Sequence, residues 1–122
     1  MATVNDKPQP PLLIERLPEL AQEIRSGLRR FAAGRSESSL DFEALIESVE
    51  ELRILSRCKC GDDFCATFWT GELRESNRGK QRTIWLDPEE SFLNLDILGA
   101  SIITVEVLYR PDVKARLDAL FS

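Results

Sequence analysis

Apolar and polar residues alternate on both sides of Gly99, and no other feature of the sequence constrains the fold as strongly. Such a period of two is typical of strands that bury one face and expose the other. The apolar positions are Leu93, Leu95 and Ile97 before the glycine, and Ile103, Val105, Val107 and Tyr109 after it. The segment therefore predicts an antiparallel β-hairpin.

The length of the hairpin loop sets which residues face each other. A two-residue loop pairs Ile97 with Ile102 and then opposes apolar residues of one strand to polar residues of the other. A three-residue loop pairs Ile97 with Ile103 and Leu95 with Val105, which places both apolar sets on one face. We therefore predict the three-residue loop.

Helical spacing precedes the strands. Leucine, isoleucine and phenylalanine residues recur every three or four positions and predict a main helix over 18–33, with Gly34 as a left-handed stop. Residues 12–17 form a separate short turn. Gly27 weakens this helix and marks the close approach of another element.

Two further helices follow from capping and breaking residues. Asp41 or Ser39 caps a second helix, and Pro111 begins a last one. The inward positions expected on the last helix are Val113, Leu117, Leu120 and Phe121.

Shorter strands are predicted between the helices and the hairpin. Residues 54–59 and 64–70 form two strands joined by a turn at 60–63, residues 71–81 form a polar loop, and 83–87 form another strand. The expected fold is α+β. Two N-terminal helices and one C-terminal helix pack on one face of an antiparallel meander sheet of about five strands.

Length and composition predict one folded domain. With 122 residues, 43% of them hydrophobic, the chain can bury a core without crosslinks. We expect a flexible proline-rich tail at 1–11 and a single domain over 12–122. The first residues include no apolar signal segment, so we expect a cytoplasmic protein.

Charge bears on the class of partner. A formal net charge of -5 argues against nucleic acid or an anionic membrane surface, both of which need a concentrated basic face. Trp69 and Trp85 are accordingly interpreted as packing residues rather than a platform for stacked bases.

The chain contains no histidine, and this limits its chemistry. Ser-His and Cys-His nucleophile pairs and histidine metal ligands are excluded. The carboxylates follow turns and sheet surfaces and do not define a catalytic pair. We therefore assign no catalytic residue and lean towards a function without catalysis.

The three cysteines lie within eight positions, and two acidic residues stand between them. Thiolates are soft ligands, and Cys58, Cys60 and Cys65 flank a turn that lets them converge on one zinc or copper ion. Asp62 or Asp63 supplies a fourth ligand in this interpretation, and a second copy of the chain is another source.

Two other roles for the cysteines stay open. As small apolar side chains they fill spaces under the sheet. As redox thiols they would be activated by Arg57 and Lys59, which lower a thiol pKa when they lie close to it.

The segment from Arg57 to Phe68 carries the pattern C-x-C-G-D-x-F-C-x-x-F. With the hairpin and the short final helix, it resembles a group of small bacterial proteins that share this arrangement over about residues 50 to 121. The resemblance implies a bacterial cytoplasmic protein. No activity is known for the group, so the resemblance implies no functional residues.

The sheet predicts a surface for a partner. Three helices leave one sheet face partly open, and exposed apolar side chains on such a face indicate association. The residues expected there are Phe92, Leu98, Ile102 and Leu108. The leading hypothesis is an interaction or accessory protein that self-associates or binds another protein, and the alternative is a thiolate metal-binding protein.

Overall fold

The helical spacing near the N-terminus produces three helices and a 3-10 turn. The computed structural model describes residues 9–34, 41–72, 79–86 and 92–121. The first elements are α1 (Leu13–Arg16), α2 (Pro18–Ala33), α3 (Phe42–Ser48) and a 3-10 turn (Val49–Glu51). The short turn expected before the main helix is thus confirmed as α1.

Helix α2 has the predicted bounds, but its end differs from the prediction. Gly34 has φ -85°, so the prediction that it ends the helix in a left-handed conformation is wrong. Its amide donates to the carbonyls of Arg30 and Ala32 and closes the helix with an ordinary negative φ. Gly27 does mark a close approach, because a Cβ there would lie 3.0 Å from the Cβ of Leu86.

Helix α3 begins at a side-chain cap. The carboxylate of Asp41 accepts a hydrogen bond of 3.1 Å from the amide of Ala44, as expected of an N-cap aspartate. Ser39, the other predicted cap, lies outside the described residues. Arg25 of α2 pairs with Glu50 at 3.3 Å across the helical hairpin.

The sheet has five antiparallel strands, followed by a last helix. They are β1 (Ser56–Arg57), β2 (Phe68–Trp69), β3 (Arg82–Trp85), β4 (Leu93–Leu98), β5 (Ser101–Val107) and α4 (Pro111–Leu120). Their spatial order is β1-β2-β5-β4-β3. The α+β class is confirmed, and β3, β4 and β5 form a meander. The β1–β2 hairpin joins it through β5, so β3 forms the opposite edge.

The β4–β5 hairpin combines both loop registers considered from the sequence. Leu93 pairs with Val107 and Leu95 with Val105, as the three-residue loop predicts, but Ile97 pairs with Ile102. A β-bulge reconciles the two registers, and Ile103 is its extra residue.

The backbone directly after β2 explains the bulge. The amides of Thr70 and Gly71 both donate to the carbonyl of Ile103, at 2.9 and 3.1 Å. Gly71 must be small, because a Cβ there would lie 2.9 Å from the Cγ2 of Ile103. The predicted three-residue loop is wrong because the residues that follow β2 bind the carbonyl of the extra residue.

The core lies between the helices and one face of the sheet. Residues of all four helices pack there against inward-facing strand residues, of which Phe68, Leu95, Val105 and Val107 are fully buried. Ile102 also belongs to this core, so its predicted place on the open face is wrong. Phe121 was expected to face inward, but it is exposed because it follows the last turn of α4.

Ion pairs hold α4 against the helices and the sheet. Arg110 binds Glu23 of α2 through two hydrogen bonds of 2.8 and 2.9 Å. Arg57 of β1 binds Asp118 of α4, which also contacts Lys114.

Parts of the sequence predictions lie outside the described residues. These are the first eight residues of the expected tail, residues 73–78 of the loop at 71–81, and the last residue of the strand at 83–87. The carbonyls of Pro10 and Pro11 accept hydrogen bonds from Arg53 and Ile54, at 2.6 and 2.8 Å. Among the described residues, the helices are too short or too polar to cross a membrane.

Candidate metal centre

The cysteine segment is a loop that closes the β1–β2 hairpin and rests on the end of β5. The amide of Cys58 donates to the carbonyl of Thr67 at 2.8 Å, and the amide of Ala66 donates to the carbonyl of Val107 at 2.8 Å. The backbone of Cys65 pairs with that of Leu108 in an isolated antiparallel β-bridge. These bonds fix the base of the loop in the pairing pattern of the sheet.

Alternation along β2 sets the direction of the side chains. Phe68 and Ala66 belong to the core, so Thr67 and Trp69 fall on the opposite side, which we call the outer face. The β-bridge between Cys65 and Leu108 extends the pairing of β2 with β5. It therefore places Cys65 on the outer face with Thr67. The cysteine loop therefore lies on the side of the sheet away from the helices.

The tip of the loop is a turn with a left-handed glycine. Gly61 has φ +83° and the space around it is open, so glycine is needed there for its backbone conformation. The amide of Cys65 donates to the carbonyl of Asp62 at 3.2 Å. The turn brings Cys60 back beside Cys65, as the glycine and aspartates of this segment predict.

The three sulfur atoms converge. The Sγ atoms of Cys58, Cys60 and Cys65 all lie within 4.8 Å of one another. Cys65 is buried, Cys58 is half-buried and Cys60 is exposed. The cluster thus has a closed side at Cys65 and an open side at Cys60, and the three thiols are close enough to bind one metal ion.

Hydrogen bonds to sulfur differ between the buried and the exposed cysteine. Burial alone raises the pKa of Cys65, but hydrogen bonds from the amide and hydroxyl of Thr67 and from the other two thiols outweigh it, so this pKa is lowered. The amide of Asp62 lowers the pKa of Cys60, but hydrogen bonds with Cys65 and Cys58 prevail and raise it to about 11. Of these two thiols, Cys65 is therefore the one that loses its proton more readily.

Thr67 contacts the cysteine cluster, and the sequence patterns did not identify it as a candidate site residue. Its hydroxyl accepts a hydrogen bond from the amide of Val107 at 3.3 Å and also interacts with the sulfur of Cys65. Its place two residues after a cysteine in a strand is the available signal, because such residues share a face. That signal becomes meaningful once the strand pairing is known.

The two predicted carboxylate ligands lie at the exposed tip. Asp62 and Asp63 are both solvent-exposed, and Asp62 contributes its backbone amide to Cys60 and its carbonyl to Cys65. The convergent group found among the described residues consists of the three sulfurs. Arg57, considered as an activator of the thiols, pairs with Asp118 instead.

Three aromatic rings stand next to the cluster. Phe64 precedes Cys65, and its ring stacks on Tyr109 with centroids 5.2 Å apart; Phe92 contacts the same tyrosine at 4.7 Å. Tyr109 has φ +60°, which is unfavourable for a bulky residue. Its amide donates to the carbonyl of Phe64 at 2.8 Å, so the strained residue fixes the backbone beside Cys65.

A separate cavity lies near the β4–β5 turn. It measures about 340 Å³, and its lining includes Ser48, Glu51, Thr70 and Glu72. The hydroxyls of Thr70 and Ser48 donate to backbone carbonyls, at 2.6 and 2.7 Å. These two hydroxyls are thus engaged within the protein, and the cysteine cluster remains the stronger candidate site.

Comparisons with known proteins add no family to this description. No family model matches the sequence, and no significant match is found among curated proteins or solved structures.

Proposed function

We propose that the chain is a thiolate metal-binding protein that holds zinc(II) or copper(I) through Cys58, Cys60 and Cys65. The observation that carries this proposal is the mutual separation of the three Sγ atoms, none greater than 4.8 Å. Thiolate sulfur is the ligand that these soft or borderline ions prefer.

Simple packing accounts poorly for this arrangement. A cysteine that fills a gap in a core is buried, whereas Cys60 is exposed, Cys58 is half-buried, and the cluster lies away from the helix-covered core. Three nearby thiols repel one another once they ionise, so their convergence is favoured when a cation shares them.

The loop needs little rearrangement to accept an ion. Sulfur ligands at about 2.3 Å from a tetrahedral ion lie roughly 3.8 Å apart, so the cluster must contract by about 1 Å at most. Backbone amides two residues after Cys60 and Cys65 already point at those sulfurs. Such hydrogen bonds orient metal ligands and stabilise their anionic form.

Elemental analysis tests the proposal directly. Protein purified under reducing conditions without a metal-chelating column is expected to contain close to one zinc or copper ion per chain. Cys58→Ser, Cys60→Ser and Cys65→Ser should each lower this occupancy, while Ser56→Ala, an exposed change in the same hairpin, should not. A wild-type chain that carries no such metal and fails to bind added zinc(II) or copper(I) would sink the proposal.

We propose self-association through the outer face as a second function, and exposed aromatic residues favour it. Trp85 is 55% exposed, Tyr109 56% and Phe64 40%. Trp85 pairs with Asn94, which puts it on the outer face diagonally across from Phe92. Aromatic side chains of this size are enriched at protein interfaces.

Light scattering tests this second function. The wild-type chain should show a mass above that of one chain at micromolar concentration, and Trp85→Ser should shift it towards the monomer. Leu55→Ser is the matched control, because Leu55 is an exposed apolar residue that is not one of these aromatic side chains. A wild-type chain that stays strictly monomeric and captures no second copy would contradict it.

A further inference from the structure

We infer that a zinc(II) ion bound by the three cysteines takes its fourth ligand as a thiolate from outside the chain. This inference rests on the metal-binding function proposed above and concerns the coordination position that the chain leaves open. Zinc sites of three protein ligands keep a fourth position for an exogenous molecule.

The ligand count comes from the described residues and from composition. The convergent group consists of three sulfurs, and the sequence contains no histidine that could complete it. Asp62 and Asp63 are at the exposed tip, where the backbone of Asp62 already binds two of the cysteines. Among the described residues no other donor joins the three sulfurs, so the remaining position is open to a ligand from outside the chain.

The direction of approach follows from the burial gradient. Cys65 is 8% exposed and Thr67 is also buried, so they form the closed side of the cluster. Cys60 and the turn residues Gly61 and Phe64 are exposed and form the open side. An external ligand thus reaches the ion past Cys60.

The chemical class of the ligand follows from the donors and the neighbouring surface. An ion that is already bound by three soft sulfurs accepts a further soft donor well. The partly exposed rings of Phe64 and Tyr109 stand beside Cys65 and offer an apolar contact for the carbon chain of a thiol. Binding forms one metal–sulfur bond, displaces any bound water and releases the thiol proton to solvent, with no change of oxidation state.

Cobalt(II) is the probe, because its thiolate bonds absorb light in proportion to their number. The protein is reduced with a phosphine rather than a thiol, loaded with cobalt(II) without oxygen, and titrated with 2-mercaptoethanol. A change from three to four sulfur ligands should raise the charge-transfer absorbance by roughly a third and then saturate. Ethylene glycol, the oxygen analogue, should leave the spectrum unchanged.

The outcomes separate this inference from the function on which it rests. Failure to bind cobalt(II) or zinc(II) at all counts against the proposed function. A three-sulfur cobalt spectrum that gains no absorbance with the thiol, or cobalt that the thiol removes, overturns the inference alone. It is also overturned if the thiol adds to Asp62→Asn/Asp63→Asn but not to the wild type, because a carboxylate then holds the position.

Two sources of thiolate remain to be told apart. If the four-sulfur spectrum develops with added thiol on a monomer, the ligand is a small thiol. If it is present beforehand on a species with the mass of two chains, and disappears on dilution to the monomer, a cysteine of a second copy supplies it. Either result supports a thiolate from outside the chain.

Discussion

The two faces of the sheet differ in burial and in the residues that they present. On the inner face, strand residues such as Leu95 are fully enclosed by four helices, and a glycine in α2 allows the closest approach. On the outer face, the cysteine loop leaves one sulfur in solvent and two aromatic rings partly exposed. Stability and candidate chemistry are therefore carried by opposite sides of the same strands, and substitutions should separate them.

The largest expected effect is on the inner face. Leu95→Ala should lower the free energy of unfolding by about 2–5 kcal/mol, because it removes a fully buried side chain and leaves a cavity. Urea denaturation measures this. Thr83→Ala on the outer face is the control, where one exposed hydrogen bond of 2.7 Å to Asp96 is lost.

The same variant also tests the separation of the faces. Folded Leu95→Ala should bind as much metal per chain as the wild type. A proportionate loss of metal from the folded fraction would mean that the core and the cysteine loop are not independent.

A smaller effect is expected where α2 meets the sheet. Gly27→Ala places a Cβ 3.0 Å from that of Leu86, and such overpacking costs about 1–3 kcal/mol, partly offset by the higher helix propensity of alanine. Gly34→Ala is the control, since its nearest neighbours lie at 3.8 Å and its φ is negative. Thermal unfolding should show a loss for the first variant alone; equal melting temperatures would contradict the tight contact.

On the outer face, Thr67→Val removes the hydroxyl next to Cys65 and keeps the shape of the side chain. Loss of a group that orients a ligand typically weakens metal binding by about 10- to 100-fold, and we expect the lower end because the backbone amide of Thr67 remains. Competition with a chelator measures the affinity. Thr104→Val is the control, because Thr104 is a buried threonine of β5. If both variants lost the same amount of metal affinity, Thr67 would have no specific role in binding.

The smallest effect concerns the ion pair between Arg57, which precedes the cysteine loop, and Asp118 of α4. Hydrogen bonding from Arg57 holds the pKa of Asp118 below its usual range. The stabilisation is therefore present above the ordinary aspartate value of about 3.9 and is lost as the pH falls through the lowered one.

Asp118→Asn tests this link. The variant should melt slightly below the wild type near neutral pH, and the difference should vanish in acid, where Asp118 of the wild type is protonated. Because the pair is partly exposed, the effect is small. A difference that stays constant across the acid range would show that the charge of Asp118 is not its cause.

Sequence patterns predicted the elements that depend on local spacing. Pro18 and the apolar stripe gave the bounds of α2. Alternation gave the inner residues Leu93, Leu95 and Ile97 of β4 and Val105 and Val107 of β5, but it did not place Ile102 in the core. The bulge at Ile103 could not be predicted, since it depends on amides of Thr70 and Gly71 that are distant in sequence. The position of β2 beside β5 could not be predicted for the same reason, because it depends on contacts between residues that are distant in sequence.

The candidate site was predictable in composition but not in arrangement. Three cysteines around Gly61 indicate the candidate ligands, and the glycine indicates the turn that reverses the chain. Which face they occupy depends on the pairing of Cys58 with Thr67 and of Cys65 with Leu108. The part played by Thr67 follows from that pairing.

Thr67 also links the loop to the middle of the sheet. Its hydroxyl meets the sulfur of Cys65 on one side and the backbone amide of Val107, in β5, on the other. A thiolate that draws the hydroxyl proton towards itself leaves the oxygen a better acceptor for that amide. We therefore expect the hydrogen–deuterium exchange rate of the Val107 amide, inside the sheet, to change when the sulfur of Cys65 on the outer face loses its proton.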